Sequence, residues 1–208
     1  MGGVFMNKFL GRILICSLAA TLCWGGILIA DRQKLKHGII RFHVIANSDS
    51  REDQAIKLNV RDAVLNSMEA DLRQIADIEE AREYLKQNLP RIQRIADETL
   101  KQLGCSEVSQ ISLCKEAFNI RHYDTFTLPA GVYESLKIVI GEGKGQNWWC
   151  VSFPALCLPA TADGFTDAAV SAGFSQPLVK SLSRNEDYEI HFYLLDKLGK
   201  LETARFRK

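Results

Sequence analysis

The chain has 208 residues, of which 47% are hydrophobic and 25% are charged, a balance typical of one globular domain with an added apolar segment. Its formal net charge is +1, and beyond residue 30 it carries 24 basic and 25 acidic residues without a basic stripe. A nucleic-acid-binding protein has a positively charged footprint, so nucleic acid is excluded as a partner.

An apolar segment lies near the N-terminus. Lys8 and Arg12 precede a run without charge at residues 13–30. This run is at the lower limit of what spans a bilayer and is longer than most signal-peptide cores. We therefore predict that residues 1–30 are either a cleaved signal peptide or an uncleaved anchor that holds the chain in the membrane, with a basic linker at 31–38.

Two patterns disagree about the side of the membrane on which the domain lies. The basic residues that follow the apolar run outnumber those before it, and the positive-inside rule alone would leave the domain in the cytoplasm. The folded part has an even number of cysteines, which favours export and disulfides: Cys105, Cys114, Cys150 and Cys157. We predict export, with Cys150 and Cys157 closing a short turn and Cys105 and Cys114 as candidates for a second pair.

A strand and two helices are predicted for residues 39–104. Residues 39–46 have the alternation of a strand. Ser50 and Asp53 form a capping box at the start of a helix with apolar residues at helical spacing. A second helix begins at Asp77, which Pro90 is expected to kink or divide.

The rest of the chain is predicted to be mostly strands. Residues 105–118 and 119–128 favour strands with imperfect alternation. Residues 132–140 and 148–153 alternate more clearly, and the glycine-rich loop between them predicts a long-looped β-hairpin. Residues 155–184 are predicted to be a loop with one short helix, and 188–195 a last strand.

These elements predict an α+β fold: a mostly antiparallel sheet with a helical pair on one face, preceded by the N-terminal transmembrane or signal segment. We assign residues 39–160 to the domain and residues 161–208 to a C-terminal extension that packs on it.

No motif predicts catalysis, a metal or a cofactor. The spacing of Gly141, Gly143 and Gly145 fits neither phosphate-binding motif, and a hairpin loop with positive φ is the simpler interpretation. Ser112 and Lys115 match S-x-x-K, but on a strand they would face opposite ways. The four histidines lack metal-ligand spacing.

Two groups are candidates for partner binding. Trp148 and Trp149 are adjacent on a predicted strand, so their rings should point to opposite faces, and tryptophan is enriched at interfaces. The alternative is that helices cover both rings. Asp49 and Asp53 begin a charged helix face, which is either a recognition surface or an ordinary solvated helix with pairs such as Asp53–Lys57.

Two segments resemble the stage II sporulation protein R family. They are IRFHVIANSDSREDQAIKLNVRDAVL at residues 40–65 and LPAGVYESLKIVIGEGKGQNWWCVSFPALC at residues 128–157. The resemblance implies a protein of endospore-forming bacteria that is exported across the forespore membrane into the space between two membranes. There it would trigger a membrane-embedded aspartic peptidase that cuts the precursor of a mother-cell sigma factor.

On this interpretation the chain is a ligand and not an enzyme. Our hypothesis is that Trp148 or Trp149, with the loop of Gly141, Gly143 and Gly145, contacts the extracytoplasmic side of the peptidase. Two alternatives stay open. One is an exported hydrolase with a site near Asp49, Asp53 and His43, and the other is a membrane-anchored structural module.

Overall fold

The computed structural model describes residues 2–75, 77–123, 125–154, 162–183 and 190–207. Helix α1, Gly2–Gly38, is long and apolar enough to cross a membrane, and most of its apolar side chains from Phe9 onward are exposed. Residues 31–38, predicted as a linker, are its last two turns. They are helical because Leu35 is buried against the domain, which fixes the backbone there.

Strand β1, Ile40–Ile45, leads into helices α2, Arg51–Leu72, and α3, Ile78–Gln102. The predicted N-cap residues are confirmed, but the reciprocal bond of the capping box does not form, because the Ser50 N–H donates to the Ser48 hydroxyl at 3.1 Å. The Ser50 hydroxyl accepts a hydrogen bond from the Asp53 N–H at 3.0 Å, and Asp77 accepts from the first N–H groups of α3. Helix α3 continues through Pro90, so the predicted division of this helix does not occur.

The main sheet is built from β1 and three later strands: β2, Ser109–Phe118; β5, Gly131–Ile140; and β6, Asn147–Phe153. Between β2 and β5, a two-stranded hairpin is formed by β3, Arg121–His122, and β4, Thr127–Leu128.

The strand order in the main sheet is β2-β5-β1-β6. Strand β1 runs parallel to β5 and antiparallel to β6, and β2 is antiparallel to β5, so the predicted α+β class with a mostly antiparallel sheet is confirmed. The predicted β-hairpin is wrong, because β1 lies between β5 and β6. Local alternation identified both strands correctly, but it carries no information about a third strand inserted between them.

Helices α2 and α3 cover one face of the sheet, which we call the helical-pair face. Its hydrophobic core includes Phe42, Val60, Leu85, Ile92 and Ile138, each completely buried. The 3.6-residue spacing of the apolar side chains in both helices places them toward the sheet.

The opposite face, which we call the C-terminal face, packs against the end of α1 and three later helices. These are α4, Ala162–Ser171; α5, Gln176–Leu182; and α6, Ile190–Phe206. The predicted strand at 188–195 is wrong where the structure describes it, since residues 190–195 begin α6. Phe192 and Leu195 are both buried, and their three-residue spacing is that of a helix, which the short alternating run did not distinguish from a strand.

Helix α6 is held against the start of β5 by specific contacts. The Asp196 carboxylate accepts a hydrogen bond from the Ala130 N–H at 3.0 Å, and Gly199 lies against the Ala130 carbonyl with no room for a Cβ. Glu202 pairs with Arg32 at 2.7 Å and with Lys36. These contacts place the last turns of α1 beside the beginning of β5.

Candidate functional site

Two loops meet at the far end of the sheet, away from the contact between α1 and β5. One joins β1 to α2 at residues 46–50, and the other joins β5 to β6 at residues 141–146. The Lys144 N–H donates to the Asn47 carbonyl at 3.0 Å, and the Gly145 N–H donates to the Ala46 carbonyl at 2.9 Å. We call this pair of joined loops the loop clasp. Its backbone bonds fix the shape of the β5–β6 loop.

The glycines are needed for this shape. Gly141 and Gly143 have φ of 55° and 64°, the left-handed region that side chains disfavour. Gly145 has no room for a Cβ, because the Ser48 carbonyl lies against it. The predicted positive-φ loop is confirmed at Gly141 and Gly143, and a strand, not a helix, follows it.

Asp49 and Asp53 help to form the clasp. Asp49 accepts a hydrogen bond from the Gln146 N–H at 2.7 Å. Asp53 accepts from the Ser48 hydroxyl at 2.5 Å and from the Asn47 amide at 3.1 Å, and the Ser48 bond is the largest cause that lowers the Asp53 pKa. These two carboxylates are therefore tied into the loop structure.

Lys57 joins α2 to the same loops. It is buried and donates to the side chain of Gln54 and to the Gln146 carbonyl at 3.0 Å. The predicted Asp53–Lys57 pair is replaced by these bonds, because Asp53 is already bonded to Asn47 and Ser48.

The two adjacent tryptophans point to opposite faces of β6, as predicted. Trp148 packs on the helical-pair face, edge-on to Phe42 with ring centroids 5.9 Å apart, and the Arg61 guanidinium lies 4.8 Å from its ring. Trp149 packs on the C-terminal face and stacks on His43 at 3.6 Å. Both side chains are half-buried, so part of each remains open to solvent.

His43 belongs to a charged cluster on the C-terminal face. Its Nδ1 lies 3.1 Å from a Glu116 oxygen, and Lys137 pairs with the same carboxylate at 3.0 Å. Burial opposes ionisation of Glu116, but the hydrogen bonds and charges of His43 and Lys137 outweigh it and lower its pKa from 4.5 to about 2. Glu116 is thus held ionised between two groups that bond it.

Arg41 is completely buried beside this cluster. It donates to the Cys150 carbonyl at 3.3 Å and to the Tyr123 hydroxyl at 2.8 Å, and its guanidinium lies 4.3 Å from the Phe118 ring centroid. Arg41 was not among the residues predicted to have a functional role. Its position inside an apolar strand was the available signal that it is buried.

The three residues of the alternative hydrolase site are bonded to different groups. His43 bonds Glu116, whereas Asp49 and Asp53 bond the loop clasp, so the three side chains share no hydrogen bond in the described structure. Ser112 and Lys115 are three residues apart on β2 and face opposite ways. Within the described ranges, no group of three His, Cys, Asp or Glu side chains is placed to hold a metal.

The predicted second disulfide is absent. Cys105 and Cys114 are both free thiols. Cys105 packs against the helical-pair core, while Cys114 follows Leu113 of that core along β2 and so faces the other side of the sheet. Cys157 lies outside the described residues, and the bridge between Cys150 and Cys157 stays a prediction.

Comparison with known proteins gives a consistent result. Residues 36–163 match the family model for stage II sporulation protein R. The chain is 40% identical over 125 residues to stage II sporulation protein R of Bacillus subtilis (strain 168), and this region covers 60% of the chain. The chain spans 56% of the length of that relative. No solved structure matches. The matched region contains the loop clasp and both tryptophans of β6.

Proposed function

The chain belongs to the stage II sporulation protein R family, and on that premise we propose that it is an exported signal that activates a membrane-embedded aspartic peptidase during sporulation. The peptidase would then cut the precursor of the mother-cell sigma factor. A role in sporulation follows from the family. The peptidase partner, the export across the forespore membrane and the action as a ligand are our proposal.

The observation that carries the proposal is that the apolar helix and the loop clasp lie at opposite ends of the sheet. The apolar helix α1 fits a signal peptide or a membrane anchor, and its last turns contact the beginning of β5. The loop clasp lies at the other end of the strands. Because β1 has six residues, the clasp lies about 17 Å beyond the start of β1. An anchored chain would therefore be tethered at the end of the sheet opposite the clasp.

The clasp has the properties of a recognition surface. Glu142 and Lys144 form an exposed ion pair on the loop, with side chains 66% and 75% exposed. Trp148, on the strand that follows this loop, is half-buried with the Arg61 guanidinium over its ring, and tryptophan is enriched at binding interfaces. The loop is already fixed by backbone bonds to Ala46 and Asn47, so little conformational entropy would be lost on binding.

A ligand activates a receptor only by binding its active state more tightly than its inactive state. We propose that the shape of the clasp makes this distinction, with Trp148, Trp149, Gly141, Gly143, Gly145, Asp49 and Asp53 as the residues that contact the peptidase or hold the contacting loop. In this role Asp49 and Asp53 act mainly by fixing the loop.

Gly143→Ala tests this role. A Cβ at residue 143 would lie 2.6 Å from the Val139 Cγ1 atom, and φ would have to stay at 64°, so the loop must change shape. We expect processing of the sigma-factor precursor in sporulating cells to be lost while the variant is still exported.

The matched control is Gly173→Ala. Gly173 has φ of 81° and a Cβ there would meet no atom within 4 Å, so this variant has backbone strain without distortion of the clasp. We expect its processing to match the parent chain. Normal processing by an exported Gly143→Ala variant would contradict the proposal.

A further inference from the structure

A cavity of about 450 Å³ lies at the end of the sheet next to α1. It is lined by the last turn of α1, the first turns of α3, the end of β2, the start of β5 and the end of α6. Each of these elements contributes at least one charged side chain, and Val132 and Phe206 supply apolar wall. The cavity is distinct from the loop clasp, which lies at the opposite end of the strands.

The cavity has an excess of positive charge. Four lysine and arginine side chains line it, against two carboxylates. Both carboxylates are paired: Glu134 with Arg82 at 2.7 Å, which also pairs with Glu79, and Glu202 with Arg32 and Lys36. The remaining cations are Lys115 and Arg205, which are exposed and have no ion pair among the described residues. His37 lines the same cavity.

The cavity also lies beside the end of α1 that follows the membrane-spanning run when residues 13–30 are in a bilayer. Lys36 is six residues beyond Ala30, about 9 Å along the helix. The headgroup layer extends roughly 5–8 Å beyond the hydrocarbon. Side chains of a helix tilt toward its N-terminus, so Lys36 and His37 lean toward the membrane.

We propose that this cavity binds the phosphodiester headgroup of an anionic lipid in the membrane that holds α1. Lys115 and Arg205 would bond the phosphate oxygens, and the exposed Phe206 would lie against the glycerol and upper acyl chain. The inference rests on α1 being seated in a membrane and not on activation of the peptidase. Such binding would fix the orientation of the domain relative to the bilayer.

The test uses the full chain in lipid nanodiscs that contain phosphatidylcholine with phosphatidylglycerol as a minority lipid. Native mass spectrometry after release from the discs counts each lipid that the chain retains. We expect the parent chain to retain one phosphatidylglycerol in preference to phosphatidylcholine. Replacing both Lys115 and Arg205 by alanine should reduce that preference on the order of thirty-fold, as expected for the loss of two cations at a membrane surface.

Two further variants serve as controls. Lys101→Ala removes an exposed lysine from the same helix as Arg82 but about 28 Å away along its axis, and should keep the full preference. Exchanging the two cations, as Lys115→Arg with Arg205→Lys, keeps the charge. This variant should retain most of the preference for phosphatidylglycerol.

The proposal would be overturned if the parent chain and the double-alanine variant preferred phosphatidylglycerol over phosphatidylcholine equally. Complete displacement of the retained lipid by inorganic phosphate would also overturn it, because the cavity would then be a site for free phosphate. Sigma-factor processing is measured separately in cells, so failure here and failure of the proposed signalling role are distinguishable.

Discussion

The two faces of the sheet are built by different physical means. The helical-pair face buries an apolar core between two long helices and the sheet. The C-terminal face buries Arg41, His43 and Ser135 and partly buries Glu116. Shorter helices cover this face, and Asp196, Gly199 and Glu202 hold them in place. The first face is therefore stabilised mainly by the hydrophobic effect. The second adds buried hydrogen bonds, charge and close backbone contact to an apolar core of its own, which includes Phe118, Phe126 and Leu178.

This difference means that the two faces should respond differently to pH. Apolar packing changes little between pH 7 and pH 3, whereas an ionised buried carboxylate loses its contribution as it is protonated. Variants on the two faces should therefore differ in size of effect and in pH dependence.

The largest effect is expected on the helical-pair face. Ile92 in α3 is completely buried, and Ile92→Ala should lower the free energy of unfolding by about 3 kcal/mol through lost burial and the cavity left behind. Denaturant unfolding measures this. Arg94→Ala, on the exposed side of the same helix, should change it by less than about 0.5 kcal/mol.

Glu116→Gln should show the pH dependence of the C-terminal face. The folded pKa of about 2 lies below the usual 4.5, so the ionised carboxylate stabilises the fold above about pH 5 and the contribution is lost as the pH falls toward 2. The contribution is smaller than the effect at Ile92 because Glu116 is partly exposed to solvent, and more than half of it is lost by pH 3.

Denaturant unfolding of both chains at pH 7 and pH 3 checks this. Glu116→Gln should be less stable than the parent chain at pH 7, and the gap should narrow at pH 3 by more than half. The same gap at both pH values would mean that ionisation of Glu116 contributes nothing, and the contrast between the faces would fail.

Gly199→Ala tests the close contact that holds α6. The added methyl group would overlap the Ala130 carbonyl, and overpacking of this kind costs about 2 kcal/mol. In the Gly199→Ala variant, hydrogen exchange should speed up more in α6 than in α3, each relative to the parent chain. The control is Leu201→Ala, at a position 65% exposed on the same helix, which should leave exchange unchanged. Equal exchange in α6 of both variants would show that the contact between Gly199 and Ala130 does not hold the helix.

The smallest effect is expected from the helix cap beside the loop clasp. Ser50→Ala removes the hydroxyl that accepts the Asp53 N–H and should lower the free energy of unfolding by about 1 kcal/mol. Ser106→Ala, at an exposed loop position, is the control. Identical stability of the two variants would show that the cap is replaced by solvent.

The sequence predicted the helical-pair face well, because its information is local. The caps at Ser50 and Asp77 and the 3.6-residue spacing in α2 and α3 are visible without knowledge of tertiary contacts. The alternation of Trp148 and Trp149 likewise fixes the faces to which their rings point.

The C-terminal face could not be predicted in the same way. Burial of Arg41 and the contact between His43 and Glu116 depend on pairing of strands far apart in the chain. The insertion of β1 between β5 and β6 is also non-local, and it turned a predicted hairpin into a crossover. Helix α6 was misassigned because a run of about eight residues fits both periods when the buried positions are unknown.

The central claim is that the loop clasp, at the end of the sheet away from α1, is the surface that the peptidase recognises. The most direct measurement places a photo-crosslinking amino acid at Lys144 of the full chain in sporulating cells, with Lys86 near the beginning of α3 as the comparison position. Both side chains are exposed. We predict a crosslink to the membrane-embedded peptidase from position 144 and none from position 86. A peptidase crosslink from position 86 alone, or from neither position while the sigma-factor precursor is processed normally, would contradict the claim.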